Sequence, residues 1–112
     1  MDAERARSLL AANRAEVQRL LHDLSAAREE DRAAERETGD AGDPAQPLSA
    51  QGVDDAVAEG LRERLAKLDR AAQRLTDGTF GRSVRSGDPI PDERLEADPA
   101  AELTVEEAAA QP

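Results

Sequence analysis

The sequence predicts an all-α fold: a long antiparallel helical hairpin of the coiled-coil type, followed by a small C-terminal module. Three observations carry this expectation. Charged residues make up 36% of the chain and hydrophobic ones 38%, the latter mostly Ala, Leu and Val, which suits solvated helices with a narrow apolar seam. One Phe and no Trp or Tyr in 112 residues leave little bulk for a large globular core. Two long stretches carry apolar residues at helical spacing, separated by a segment rich in Gly, Pro and Asp.

Residues 2–36 read as the first helix. Leu10, Val17 and Leu24 are seven apart, and Asn13, Leu20 and Ala27 form the alternate row, an a/d-like seam. No Gly or Pro interrupts it before Gly39. Asn13 on that seam reads as a solvated or register-setting polar residue. The lone histidine, His22, reads as an ordinary helix-surface residue. Residues 38–52, "TGDAGDPAQPLSAQG", are expected to form a loop at the hairpin tip, because Pro44 and Pro47 remove backbone donors and Gly39 and Gly42 permit tight turns.

A second helix is expected over 53–76, with Val53, Val57, Leu61, Leu65, Leu68, Ala72 and Leu75 as its stripe and Gly78 closing it. Paired as a hairpin over 1–77, the helices would extend roughly 50 Å. Neither stripe is stable alone in water, so function is expected at the ends of the hairpin rather than along its sides. The module, 78–112, divides into a tight turn or short hairpin (80–90), a short helix opened by Pro91 (91–97) and a last helix beginning near Thr104. Thr104 and Glu107 have the spacing of a capping box. Its core candidates are Phe80, Val84, Ile90, Leu95, Leu103 and Val105.

The formal net charge of −10 argues against direct nucleic-acid binding, which needs a cationic surface. It points instead to a basic protein surface or channel, with an attraction that salt weakens. The start "MDAERARSLL" is charged and lacks an apolar h-region, so a secretory signal is not expected, nor is a membrane span; cytoplasm is the default. Zero cysteines exclude thiol chemistry. No nucleophile–base pair, metal cluster or phosphate-cradling loop is visible, so neither an enzyme nor a bound cofactor is expected.

The segment "RLTDGTFGRSVRSGDPIPDERLEADPAAELTVEEAA" resembles the C-terminal zinc-finger region of the DksA/TraR family of RNA polymerase-binding transcription regulators. Gly78, Thr79, Phe80, Gly81, Gly87, Pro89, Ile90, Pro91, Arg94, Leu95, Glu96, Ala97, Pro99, Ala101 and Leu103 fall on the family pattern without a gap. The resemblance makes the module a degenerate zinc finger. The four family cysteine positions are Ser83, Ser86, Thr104 and Glu107 here, a set unsuited to structural zinc, so no metal is expected. The capping box and burial of Phe80 against Ile90, Leu95 and Leu103 are expected to offset the missing metal.

In family members the hairpin tip carries D-x-x-D-x-A and is inserted through the polymerase secondary channel. Asp40, Asp43 and Ala45 match that spacing in a stretch, 37–55, holding five acids and no base. The resemblance therefore implies a monomeric polymerase regulator with these residues near the active site. Asp98 stands where alarmone-responsive relatives have Arg, which argues against alarmone synergy. From a different class comes the alternative of a helical-hairpin adaptor, or self-associating coiled coil, that no longer binds polymerase.

Overall fold

The computed structural model describes residues 1–38 and 45–111, with side chains described outside 35–51. Four helices follow in order: α1 (Ala3–Thr38), α2 (Ala45–Asp77), α3 (Asp92–Ala97) and α4 (Val105–Ala109). Among the described residues there is no extended strand, only an isolated antiparallel bridge between Arg82 and Pro89. The chain is thus all-α, and α1 and α2 form the expected hairpin. Their ion pairs show the antiparallel sense: Arg14 of α1 pairs with Asp69 of α2, and Arg28, further along α1, with the earlier Asp55. Among the described residues no helix is long and apolar enough to cross a membrane.

One correction concerns the start of α2. Residues 45–52 were expected to belong to the loop, but α2 begins at Ala45. Pro47 falls in the first turn, where a missing N–H forfeits no helical bond, so it does not delay the helix as the loop reading assumed. Gly52 and Gly60 lie within α2, each costing about 1 kcal/mol of helix propensity relative to Ala.

Two compact units emerge: Met1–Ala15 with Ala66–Pro112, and Glu16–Leu65. In the first, Ala6 and Leu10 of α1 and Leu68 and Ala71 of α2 are buried, and Asn13, half-buried, donates from Nδ2 to the Leu9 carbonyl at 3.0 Å. In the second, the buried apolar residues among those described are Val17 and Ala58, while Leu20, Val53 and Val57 are exposed. The upper part of the expected α2 stripe is therefore displaced. Ala58 is buried where the four-residue step from Val53 to Val57 suggested burial of the valines.

The module is built from local rules. Gly78, at φ 82°, ends α2 in a Schellman motif: the Gly78 amide donates to the Leu75 carbonyl and the Thr79 amide to that of Arg74. The chain then folds back on itself, with the Ile90 amide donating to the Gly81 carbonyl at 2.8 Å and that of Ser83 to Asp88 at 2.8 Å. Gly81, at φ 84°, takes a left-handed conformation that a side chain would strain, beside the Leu95 side chain. Pro91 is the N-cap of α3 rather than its first residue, its carbonyl accepting from the Arg94 and Leu95 amides.

Ile90, Leu95 and Ala101 form the module's core, with Met1 and Phe80 packed against it. Pro99 and Ala100 are also buried. Val84 and Val105 are not part of it, being more than half exposed. Each directly follows a residue whose side chain turns inward, so its own points to solvent.

Candidate functional site

Four polar side chains from two turns converge in the module. In the first turn Ser83 is 5% exposed, and its Oγ accepts the amides of Arg85 at 3.1 Å and Ser86 at 3.2 Å. A side-chain oxygen thus satisfies two donors that the reversal leaves without a backbone acceptor. The Ser86 hydroxyl accepts the Asp88 amide at 3.2 Å, and Gly87, at φ 78°, closes the turn by donating to the Ser83 carbonyl. In the second turn Thr104, 9% exposed, is the N-cap of α4. Its Oγ1 accepts the Glu107 amide at 3.2 Å, and Glu107 Oε1 accepts the Thr104 amide at 3.0 Å, the reciprocal capping box read from the sequence. A backbone bond joins the turns, the Val84 amide donating to the Glu102 carbonyl at 2.8 Å.

The Glu107 carboxylate is the electrostatic centre of this cluster. The Thr104 amide, then the hydroxyl of Ser83, and then those of Thr104 and Ser86 hold its pKa down to about 2. Hydrogen bonds to the charged form favour that form. Ser83 and Ser86 on one turn and Thr104 and Glu107 on the other, separate in sequence, thus belong to neighbouring turns joined by the Val84–Glu102 backbone bond.

Longer-range pairs fasten the module to the helix ends within the same unit, and sequence reasoning did not find them. Arg5 of α1 donates to both carboxylate oxygens of Glu96, at 3.0 and 2.6 Å. Arg70 of α2 does the same to Glu102, at 2.9 and 3.4 Å. Arg74 approaches Glu102 from the same helix at 3.5 Å; burial pushes its pKa down against the pull of Glu102. The pKa values of Glu96 and Glu102 are lowered in turn, chiefly by the hydrogen bonds from Arg5 and Arg70. No local pattern announces such pairs, since their members lie 91 and 32 residues apart.

Asp98 is half-buried, and its Oδ1 accepts the Ala100 amide at 3.1 Å, shaping the turn that buries Pro99 and Ala100. It shares a cleft of about 650 Å³ with Lys67, Arg85, Arg94 and Glu102, so the lining mixes both signs of charge. His22 is exposed on α1. Of the expected tip residues, Asp40 and Asp43 lie outside the described residues, and Ala45 is described only as the first residue of α2.

The structure resembles that of transcription factor DksA2 from Pseudomonas aeruginosa, with a TM-score of 0.58 and 26% identity, covering 97% of this chain and 88% of that one. An RNA polymerase-binding transcription factor DksA of Caulobacter vibrioides is 42% identical over 45 residues. The chain is DksA/TraR-like.

General stress protein 16O of Bacillus subtilis is 48% identical to this DksA/TraR-like chain over 54 residues. These sequence matches take in 48% and 40% of the chain but only about a third of each curated relative, 33% and 32%. No family model matches.

The zinc that the family pattern implies does not fit the residues present. Structural zinc takes thiolate or imidazole ligands, whereas these positions offer three hydroxyls and one carboxylate. Those oxygens are already engaged: Ser83 and Thr104 accept backbone amides, and Glu107 accepts the Thr104 amide.

Proposed function

We propose that this chain is a non-enzymatic transcription regulator that binds bacterial RNA polymerase. Its helical hairpin enters the secondary channel, with Asp40 and Asp43 carried towards the active site, while the module docks at the channel rim. The observation that carries the reading is the likeness to DksA2 along 97% of the chain, hairpin and module together. The acidic composition of residues 37–55 supports it, because five carboxylates and no base suit a channel lined by cations. On this reading the protein acts in the cytoplasm as a monomer, with no cofactor, membrane or direct nucleic-acid contact.

A second reading, a hairpin that self-associates or serves as an adaptor, is favoured by the exposed Leu20, Val53 and Val57 in the Glu16–Leu65 unit. Light scattering separates the two, since self-association predicts a dimer mass. The direct test is titration of the purified chain onto core RNA polymerase at two salt concentrations, with a Gre-type cleavage factor as competitor. Competitive, salt-weakened binding is expected, and Asp40→Asn/Asp43→Asn should still bind but no longer alter transcription. Binding that ignores the competitor contradicts the channel assignment.

A further inference from the structure

Within the unit formed by Met1–Ala15 and Ala66–Pro112, α1 and α2 leave a groove of about 320 Å³ between them. On α1 its lining follows the i, i+3, i+4, i+7 spacing of one helix face from Arg7 to Arg14, and on α2 the i, i+4, i+7, i+8 spacing from Leu68 to Thr76. Leu10 and Leu68 are buried at its floor and Leu75 is half-buried, whereas Ala11 and Ala72 are exposed and too short to fill it. The charged groups of the lining are two guanidiniums, with no carboxylate among them. In a chain of 25 acids and 15 bases, such a lining stands apart from the average surface. Arg7 is exposed and has no ion-pair partner among the described residues. Arg14 pairs with Asp69 of α2, but one partner does not exhaust the five N–H donors of a guanidinium.

We propose that this groove is a docking site for an acidic amphipathic helix of a protein partner. An apolar trough between two helices is a seat in which a third helix lays its apolar stripe, ridge into groove. The charges identify which helix. Arg7 and Arg14 stand seven residues apart, about 10 Å along the axis at 1.5 Å per residue. A single anionic headgroup does not meet both cations at that separation. A helix with carboxylates seven residues apart, beside its apolar stripe, does. The leucines then supply contact area, while the arginines reject basic helices and speed the encounter with acidic ones. The proposal rests on one unit of the chain and stands whether or not the hairpin enters the polymerase channel.

Its test uses the full chain, with the methyl resonances of Leu10, Leu68 and Leu75 as reporters and three synthetic helical peptides as probes. The first carries leucines at helical spacing flanked by glutamates seven residues apart. The second has lysine for glutamate, and the third is the first in scrambled order. The first peptide alone should shift the three leucines saturably, and more weakly as salt rises. Arg7→Glu, which breaks no described pair, should weaken that binding by about threefold or more and reduce the preference over the lysine peptide. Ala72→Leu, which fills the groove from an exposed position, should weaken it at least about tenfold. Circular dichroism checks that both variants keep the wild-type helix content; should Ala72→Leu lose it, Ala11→Leu takes its place. Equal binding of the lysine or scrambled peptide, or no shift with any peptide, would overturn the proposal. So would shifts that come instead from dodecyl sulfate below its micelle concentration, or from raising the chain concentration alone, which would assign the groove to an anionic amphiphile or to a second copy.

Discussion

The Glu16–Leu65 unit and the C-terminal module are held by different means. Among the described residues, the first buries Val17 and Ala58 and exposes Val53, which is 64% accessible, and Val57. Its order comes from helix propensity, a thin seam and pairs such as Arg28–Asp55. The module is much shorter in regular structure, with helices of six and five residues, yet buries Leu95 to 1% and sets almost every turn with a named device. A Schellman glycine, a serine-centred turn, a capping box and two bidentate arginine pairs hold it. Regular secondary structure and specific tertiary order are thus distributed inversely along the chain.

That contrast is broken most strongly in the module core. Leu95→Ala is expected to cost about 2–5 kcal/mol, read as a lowered denaturation midpoint of the Ile90 and Ala101 resonances. Acid should also act chiefly on the module. Glu107, with its pKa held near 2 instead of 4.5, stays charged in the folded state while the unfolded chain takes up a proton. Its contribution is complete above pH about 4.5 and is lost as the pH falls towards 2; Glu96 and Glu102, also lowered, add in the same direction. A pH titration of the same resonances checks this, and a module as stable at pH 2.5 as at pH 6 would contradict it.

Smaller effects sharpen the comparison. Gly78→Ala forces a side chain into the left-handed region and should cost about 1–2 kcal/mol. The space beside it is open, so the penalty is in the backbone rather than in packing. Thr104→Ala removes the cap of α4, at about 1 kcal/mol, with Thr104→Ser retaining most of it. In the other unit, Val57→Ala should change stability by less than about 0.5 kcal/mol because the side chain is already half in water.

How much the sequence revealed follows the same division. Gly78 as a helix terminator, Thr104–Glu107 as a capping box and the hairpin itself were legible, because each depends on a few neighbouring residues or on a simple period. The start of α2 at Ala45 was not, since Pro and Gly signal turns in general but are tolerated in a first turn. Burial in the module was only half legible. Ile90 and Leu95 are large and apolar, whereas Pro99, Ala100 and Ala101 gain their burial from a turn shaped by Asp98. Val84 and Val105, apolar but exposed, show that in a module this small the direction of a side chain outweighs its hydropathy. The four former metal positions were named from the family pattern; the Ser83 and Ser86 oxygens accepting the amides of their own turn required the structure.

The central claim is that a DksA-like fold, proposed here to bind polymerase, is maintained without metal. It is tested most directly by titrating the chain onto core RNA polymerase, with a Gre-type competitor, before and after the chain has been treated with chelator and returned to metal-free buffer. The account predicts the same affinity in both arms, displaced by the competitor and weakened by salt. Binding that the competitor leaves untouched would contradict the channel assignment, and affinity lost on chelation would contradict a fold that needs no metal.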